Sequence, residues 1–137
     1  MQKTDSLKIF TDGGSRGNPG PSAIGAVLYD AEGNKAGELS ALIGSGTNNI
    51  AEYMAVILAL LEAKDMCAGH IEICMDSQLV ARQLTGKYKV KDPNILKLNC
   101  IAKRIFKMFR EVKVVEIPRA ENREADALVN RAYGIVA

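Results

Sequence analysis

The stretch LKIFTDGGSRGNPGPSAIGAVLYD, residues Leu7–Asp30, sets an apolar run, a glycine- and proline-rich segment and a second apolar run in succession. LKIFTD (Leu7–Asp12) reads as a buried strand ending at the glycine turn, and AIGAVLYD (Ala23–Asp30) as a second strand. A glycine-rich turn after a strand usually cradles phosphate, yet this one begins with a carboxylate, Asp12, which repels phosphate. The glycines fall at positions 13, 14, 17 and 20, the wrong spacing for a dinucleotide site. No helix begins cleanly at Pro19-Gly20-Pro21, so no helix N-terminus waits for a pyrophosphate. A dinucleotide-binding domain is excluded, and Asp12 needs another explanation.

Working outward, EGN (Glu32–Asn34) is hairpin chemistry and KAGELSALIG (Lys35–Gly44) completes a third, antiparallel strand. GSGTNN (Gly44–Asn49) is a loop whose asparagines can cap the next helix, expected over Ile50–Met66. Ile50, Met54, Ile57, Leu58 and Leu61 recur there at helical spacing, which predicts a core helix. HIEICMD (His70–Asp76) is a fourth strand, again ending in Asp, followed by a short helix over Ser77–Leu84 and the basic connector TGKYKVKD. Pro93 can open a helix from Asn94 to about Phe109, with Ile95, Leu98, Ile101, Ile105 and Met108 inward. VKVVEIP is a fifth strand and Glu121–Ala132 a closing helix. The order βββαβαβα indicates an α/β fold with a mixed sheet, and residues 1–137 are expected to form a single domain.

The chain has 137 residues, 47% of them apolar, enough for one domain with a real core. No apolar run reaches membrane-spanning length and MQKTDSLK lacks a signal-peptide hydrophobic region, so a soluble cytoplasmic protein is expected. Cys67, Cys74 and Cys100 are odd in number without CxxC spacing, which argues against zinc or disulfides and reads as three small buried side chains. Net charge is only +2, but Arg82–Lys113 holds ten Lys/Arg against two acids, Asp92 and Glu111. That segment carries +8 and the remainder −6, a segregation suited to docking a polyanion on one face and holding cations on another.

Four carboxylates stand in four separate places. Asp12 and Asp76 sit where apolar strands stop, Glu52 in the first turn of an apolar helix, and Asp126 in NREADALVN on the closing helix. Each has an ordinary use, as an Asx-turn, a cap, a helix-dipole partner or a solvated charge. Together they read differently, because a central pairing sets Asp12 beside Asp76 and Glu52 begins the helix packed over that sheet. Carboxylates gathered so closely repel and raise one another's pKa unless a divalent cation sits among them. Oxygen-only ligands suit magnesium or manganese, and an acidic cluster beside a +8 segment points to two metals acting on a phosphodiester.

TDGGSRGNPGP, TNNIAEY, MDSQLV and NREADALVN resemble, in order, the four signature segments of the ribonuclease H family, type 1, over Leu7 to about Asn130. The resemblance implies a ribonuclease H-like fold, a five-stranded mixed sheet with three antiparallel strands first and parallel strands after, flanked by helices. It implies hydrolysis of the RNA strand of RNA/DNA hybrids by two magnesium or manganese ions, leaving 5′-phosphate and 3′-hydroxyl ends. Asp12, Glu52, Asp76 and Asp126 match the catalytic, metal-binding carboxylates. Gly13, Ser15, Asn18, Asn48, Asn49 and Gln78 match positions contacting ribose hydroxyls and bases, and Thr47 a position that holds a DNA-strand phosphate.

The match departs from the family in three places. The basic, Trp-containing protrusion of many members is missing, which marks a short branch. Lys87, Lys89 and Lys91 on the connector are left to supply part of its contact, and weaker, more salt-sensitive binding is expected. The loop histidine before the last carboxylate is also missing. His70 cannot replace it, and Arg119, Glu121 or Arg123 stand as substitutes for a helper whose loss commonly costs ~10²–10⁴-fold. Asp92 falls where the family's phosphate-pocket asparagine sits, with Asn94 two residues on. The expected partner is an RNA/DNA hybrid bound by a monomer, with double-stranded RNA left open. A hybrid- or RNA-binding module with little cleavage is the alternative, against which four retained acids argue.

Overall fold

The computed structural model describes residues 4–134, without the side chains of Cys67 and Ala68. The two opening apolar runs pair antiparallel as β1 (Thr4–Ser15) and β2 (Gly20–Asp30), with Phe10 opposite Val27 and Asp12 opposite Gly25. At the next turn Asp30 Oδ1 accepts from the backbone N–H groups of Glu32 (3.0 Å) and Asn34 (2.9 Å), and Gly33 takes φ +82°. This is the side-chain-to-backbone turn chemistry that EGN promised. It returns the chain as β3 (Lys35–Gly46), antiparallel to β2.

After α1 (Asn48–Lys64), β4 (Cys67–Met75) pairs parallel to β1. Two helices, α2 (Gln78–Leu84) and α3 (Pro93–Phe106), then lead to β5 (Glu111–Glu116), parallel to β4. A single 3-10 turn (Arg119–Glu121) precedes α4 (Arg123–Ala132). The sheet order is β3-β2-β1-β4-β5, the predicted mixed sheet. Leu7, Ile9, Leu28, Ile71 and Ile73 from the sheet form the main core with Tyr53, Val56 and Leu60 of α1 and Ile95 and Ala102 of α3. The helix α4 packs on β1, β2 and β3.

Several expectations are corrected. β1 does not stop at Asp12 but runs through Gly13 and Gly14 to Ser15. The reason is close packing. A Cβ on Gly13 would lie 2.4 Å from the backbone of Ala51, so α1 presses directly on the strand there. A Cβ on Gly25, opposite Asp12, would lie 2.3 Å from the carbonyl oxygen of Ala125 on α4. The glycines near Asp12 admit two helices to the sheet, rather than forming a turn.

The helix α1 starts at Asn48, capped by Thr47, whose Oγ1 accepts from Ile50 N (3.2 Å); the asparagines do not cap it. Glu52 therefore stands in the second turn. The buried face of α1 is rich in alanine (Ala51, Ala55, Ala59, Ala63), while Leu61 is 43% exposed. Small side chains bring the helix axis close to the sheet, and the larger ones are displaced to its flanks. On α3, Ile95 and Ile105 point inward, but Ile101 (47%) is exposed, as is Met108 (48%) in the turn beyond the helix end. His70 lies within β4, with Nδ1 3.2 Å from Glu111 Oε1. Cys74 is buried and Cys100 exposed, so the reading of three buried thiols fails at Cys100, and Cys67 lies outside the described side chains.

Candidate active site

Three elements deliver the acids to one place. Asp12 comes from the C-terminal part of β1, the central strand, Asp76 from the residue after β4, and Glu52 from the helix pressed on Gly13. The parallel β1/β4 register, with Phe10 opposite Cys74, sets Asp12 and Asp76 side by side. One carboxylate oxygen from each of Asp12, Glu52 and Asp76 lies within 4.8 Å of the others. Asp126, in the first turn of α4, lines the same cleft, where its charge bears on Asp12.

Asp76 is not engaged as the cap its position offers. Ser77, not Asp76, caps α2, its Oγ accepting from Val80 N (3.2 Å). Asp76 Oδ2 instead accepts from Asn122 Nδ2 (2.9 Å), which also donates to the carbonyl of Thr11 (2.8 Å). Asn122 is 1% exposed and sits at the N-terminus of α4 without capping it. It ties Asp76 to the backbone next to Asp12 and holds one carboxylate oxygen of Asp76. Sequence reasoning misses it, since an Asn before a helix reads as a cap. The missing cap bond is the signal, and only the structure shows it.

Burial, then the neighbouring Asp76 and Asp126 charges, pushes Asp12 up to about 7. Burial, with the charges of Asp12 and Asp76, raises Glu52 well above the usual carboxylate range. The fold thus places charged oxygens together against their own repulsion, the arrangement a divalent cation relieves. Oxygen-only donors fit magnesium or manganese. The cleft, about 370 Å³, is also lined by Gly14, Ser15, Arg16, Asn48, Arg119 and Tyr133.

A family model described as "Reverse transcriptase-like" matches residues 10–132. Ribonuclease HI of Halobacterium salinarum is 44% identical over 92% of this chain and 63% of its own length. The crystal structure of ribonuclease H1 from that archaeon superposes with a TM-score of 0.91 at 42% identity, covering 94% of this chain and 98% of the other. This chain belongs to the ribonuclease H family, type 1. LC11-RNase H1, solved in complex with an RNA/DNA hybrid, superposes with a TM-score of 0.85 at 43% identity over 92% of this chain and 95% of that one. A bifunctional protein of Mycobacterium tuberculosis is 42% identical over 94% of this chain. This chain spans 36% of that relative's length, so it matches only part of the longer curated proteins.

Within this ribonuclease H fold, the other residues singled out in the sequence fall into groups. Ser15 and Asn18 are engaged by the fold itself. Ser15 Oγ donates to the carbonyl of Gly46 (2.7 Å), and Asn18 Oδ1 accepts from Asn48 N (2.9 Å). Asn48 Oδ1 accepts from Ser15 N (2.8 Å), so the amide oxygens join the loop to α1 and leave the NH₂ groups for a ligand. Gln78 is exposed on α2, its amide against the Arg82 guanidinium, 2.6 Å from Nη2 in the orientation that satisfies both groups.

Asn18, Thr47, Asn48, Asn49, Asp92 and Asn94 line a second cleft of about 370 Å³ between the N-termini of α1 and α3. Only the eight residues 85–92 separate α2 from α3, so the short-branch reading holds. Lys87, Lys89 and Lys91 are exposed there, and Arg82 Nη1 donates to Tyr88 Oη (2.9 Å). Of the three substitutes for the missing histidine, the structure brings Arg119 to the acidic cleft, its Nη2 4.0 Å from Asp126 Oδ1. Glu121 lines a different cavity with Phe10, Tyr29 and Glu124, and Arg123 lines neither.

Proposed function

We propose that this protein hydrolyses the RNA strand of RNA/DNA hybrids using two divalent cations, magnesium or manganese, and leaves 5′-phosphate and 3′-hydroxyl ends. One observation carries the reading: the oxygens of Asp12, Glu52 and Asp76 within 4.8 Å of one another, in a chain of the type 1 ribonuclease H family. Asp12, Glu52, Asp76 and Asp126 would hold the ions. When bound, they supply Lewis-acid stabilisation of the phosphoryl oxygens and lower the pKa of an attacking water.

The chain's own residues position the reaction. Asn122 fixes the rotation of Asp76 by holding Oδ2. Arg119, 84% exposed at the cleft mouth, is free to swing from Asp126 toward the leaving strand, and it replaces the absent histidine as a cationic rather than a proton-transferring helper. The backbone of Gly13, Gln78, and the amide NH₂ groups of Asn18, Asn48 and Asn49 contact ribose hydroxyls and bases, with Ser15 holding the loop. Thr47, whose hydroxyl oxygen accepts from Ile50, keeps its proton to donate to a DNA-strand phosphate, assisted by Asn94. Lys87, Lys89 and Lys91 add screened attraction. The protein works as a cytoplasmic monomer of one ribonuclease H domain. Among the described residues no helix is long and apolar enough to cross a membrane.

The test is cleavage of end-labelled hybrid, double-stranded RNA and single-stranded RNA, in parallel, with magnesium or manganese. We expect hybrid-dependent cleavage that Asp76→Asn reduces by ~10³-fold or more, the loss of several kcal/mol of metal-centred stabilisation. Wild-type protein inert in both metals, or cleavage that survives Asp76→Asn, overturns the proposal. Tight hybrid binding without turnover would instead make it a binding module.

A further inference from the structure

Among the described residues, one cation in the acidic cleft has no acidic partner. Arg16 follows β1 on the loop that returns to β2, and it lines the same cleft as Asp12, Glu52, Asp76 and Asp126. Its backbone is pinned, since Arg16 N donates to the carbonyl of Pro21 (2.9 Å). Tyr133, just past α4, latches that loop from the other side. Its hydroxyl donates to the Pro21 carbonyl (2.7 Å) and lies 3.1 Å from the carbonyl oxygen of Gly14. The Arg16 guanidinium then lies over the Tyr133 ring, its carbon 3.9 Å from the centroid.

This is a prepared group rather than a structural brace. The hydroxyl latch of Tyr133 holds the loop whether or not Arg16 keeps its side chain. Among the described residues Arg16 has no ion pair, while Arg119 lies beside Asp126. An exposed cation–π contact contributes only about 0.5–1 kcal/mol. What stacking does well is orient, because it fixes the guanidinium plane and leaves its edge N–H groups open. Those edge donors match two oxygens of a phosphate, which a lysine ammonium cannot do in a fixed plane.

We propose that Arg16, held on Tyr133, receives a phosphate of the strand being cut, beside the scissile one, and so sets which phosphodiester reaches the carboxylates. The inference rests on the function proposed above. Cations between the acids draw in one phosphate, and a fixed guanidinium at the cleft wall takes a neighbour. Phosphate contacts of this kind position a duplex without reading its sequence.

The experiment measures kcat and KM for hybrid cleavage over a range of salt concentrations. Arg16→Ala is expected to raise KM about tenfold with kcat nearly unchanged, and to reduce the slope of log(kcat/KM) against log[salt] by ~0.9, the release of one phosphate contact. Arg16→Lys should restore the slope but not the KM, since it keeps the charge and loses the fork. Tyr133→Leu should raise KM with the slope kept, and Tyr133→Phe should retain the stack and stay closer to wild type. Thermal melting of Arg16→Ala should fall by no more than about 2–5 °C, the loss of the stack alone, because among the described residues no hydrogen bond of the side chain is present. Wild-type KM and slope in Arg16→Ala overturn the proposal. So does a fall in kcat alone, which would make Arg16 a partner of the carboxylates instead. A wild-type protein that cuts no hybrid overturns the proposed function itself, an outcome separate from both.

Discussion

Two clefts of about 370 Å³ meet at Asn48 and are prepared in opposite ways. On one side of that residue the fold gathers Asp12, Glu52, Asp76 and Asp126 and leaves their repulsion in place. On the other it brings two helix N-termini together, the usual form of an anion site. Yet most first-turn donors there are already engaged. Asn48 N meets Asn18, Ile50 N meets Thr47, and the N–H groups of Asn94 and Ile95 meet Asp92 Oδ1 at 2.8 and 3.2 Å. Any anion entering the second cleft would therefore meet the side chains of Thr47, Asn49 and Asn94 rather than free first-turn N–H groups. A site is thus defined by the groups the fold leaves unused. Ser77 caps α2 and frees Asp76, while Asp92 caps α3 and is engaged by it.

The sharpest way to break the contrast is to titrate the metal-free protein. Asp12 is raised from 3.8 to about 7 in the folded state, so its contribution is fully present below about pH 4 and is lost as pH rises toward 7. A gap of that size corresponds to up to about 4 kcal/mol. Glu52, raised as well, carries the loss higher. Glu38 and Glu124, lowered by Arg131 and Lys35, act in the opposite sense and gain stability as pH rises from acid. The difference between wild type and Asp12→Asn isolates the cleft. In EDTA the variant should gain stability over wild type from pH 4 to 7, by roughly 10–15 °C in Tm at neutral pH, and added magnesium should shrink the gap. Equal Tm values across this range would mean that the acids are not in mutual contact.

A second, smaller effect tests how the helix delivers Glu52. The Cβ of Gly13→Ala meets the Ala51 backbone at 2.4 Å, and backbone cannot rotate aside. Overpacking of this kind costs about 1–3 kcal/mol, and the displaced α1 carries Glu52 away from Asp12, with cleavage falling ~10²-fold. Gly14→Ala next door meets only a Val129 methyl at 4.0 Å. It should change stability by less than about 0.5 kcal/mol. Equal melting temperatures for the two variants, read by circular dichroism, would refute the close-packing account.

This pair of glycines also shows what the sequence could and could not disclose. Asp12, Glu52, Asp76 and Asp126 were legible because a lone acid beside an apolar run is conspicuous, because a supposed central pairing set Asp12 beside Asp76, and because the family resemblance matched all four. The mixed sheet followed from the order of strands and helices, and its five-stranded form from the family resemblance, whereas the register came only with the structure. The buried face of α1 was not legible. Periodicity weights large side chains, whereas close approach to the sheet selects Ala51, Ala55 and Ala59 and leaves Leu61 half in water. Asn122 was hidden because the same residue type serves as a cap elsewhere, and only the distances to Asp76 and Thr11 reveal its other partner. Arg16 and Tyr133 stand 117 positions apart, and no local pattern links them.

The finest test of the contrast is Asp92→Asn. Asn caps helices about as well as Asp, so α3 should keep its start and the melting temperature should hardly move. The substitution removes the carboxylate from the second cleft and leaves Thr47, Asn49 and Asn94 in place. If that cleft takes a DNA-strand phosphate, hybrid binding should tighten about two- to fivefold at low salt. The gain should fade as ionic strength rises, because the Debye length shrinks to about 8 Å at 0.15 M. Asp92→Ala provides the control, since it removes the same charge but loses the cap, at a cost of about 1 kcal/mol. Binding can be followed by fluorescence anisotropy on a labelled hybrid in EDTA. Tighter binding by both variants, with a lower Tm only for Ala, separates the charge effect from the capping effect. Weaker binding by Asp92→Asn would mean that the carboxylate helps hold the substrate, through a bridging cation or a ribose hydroxyl, and the two clefts would then be alike in kind.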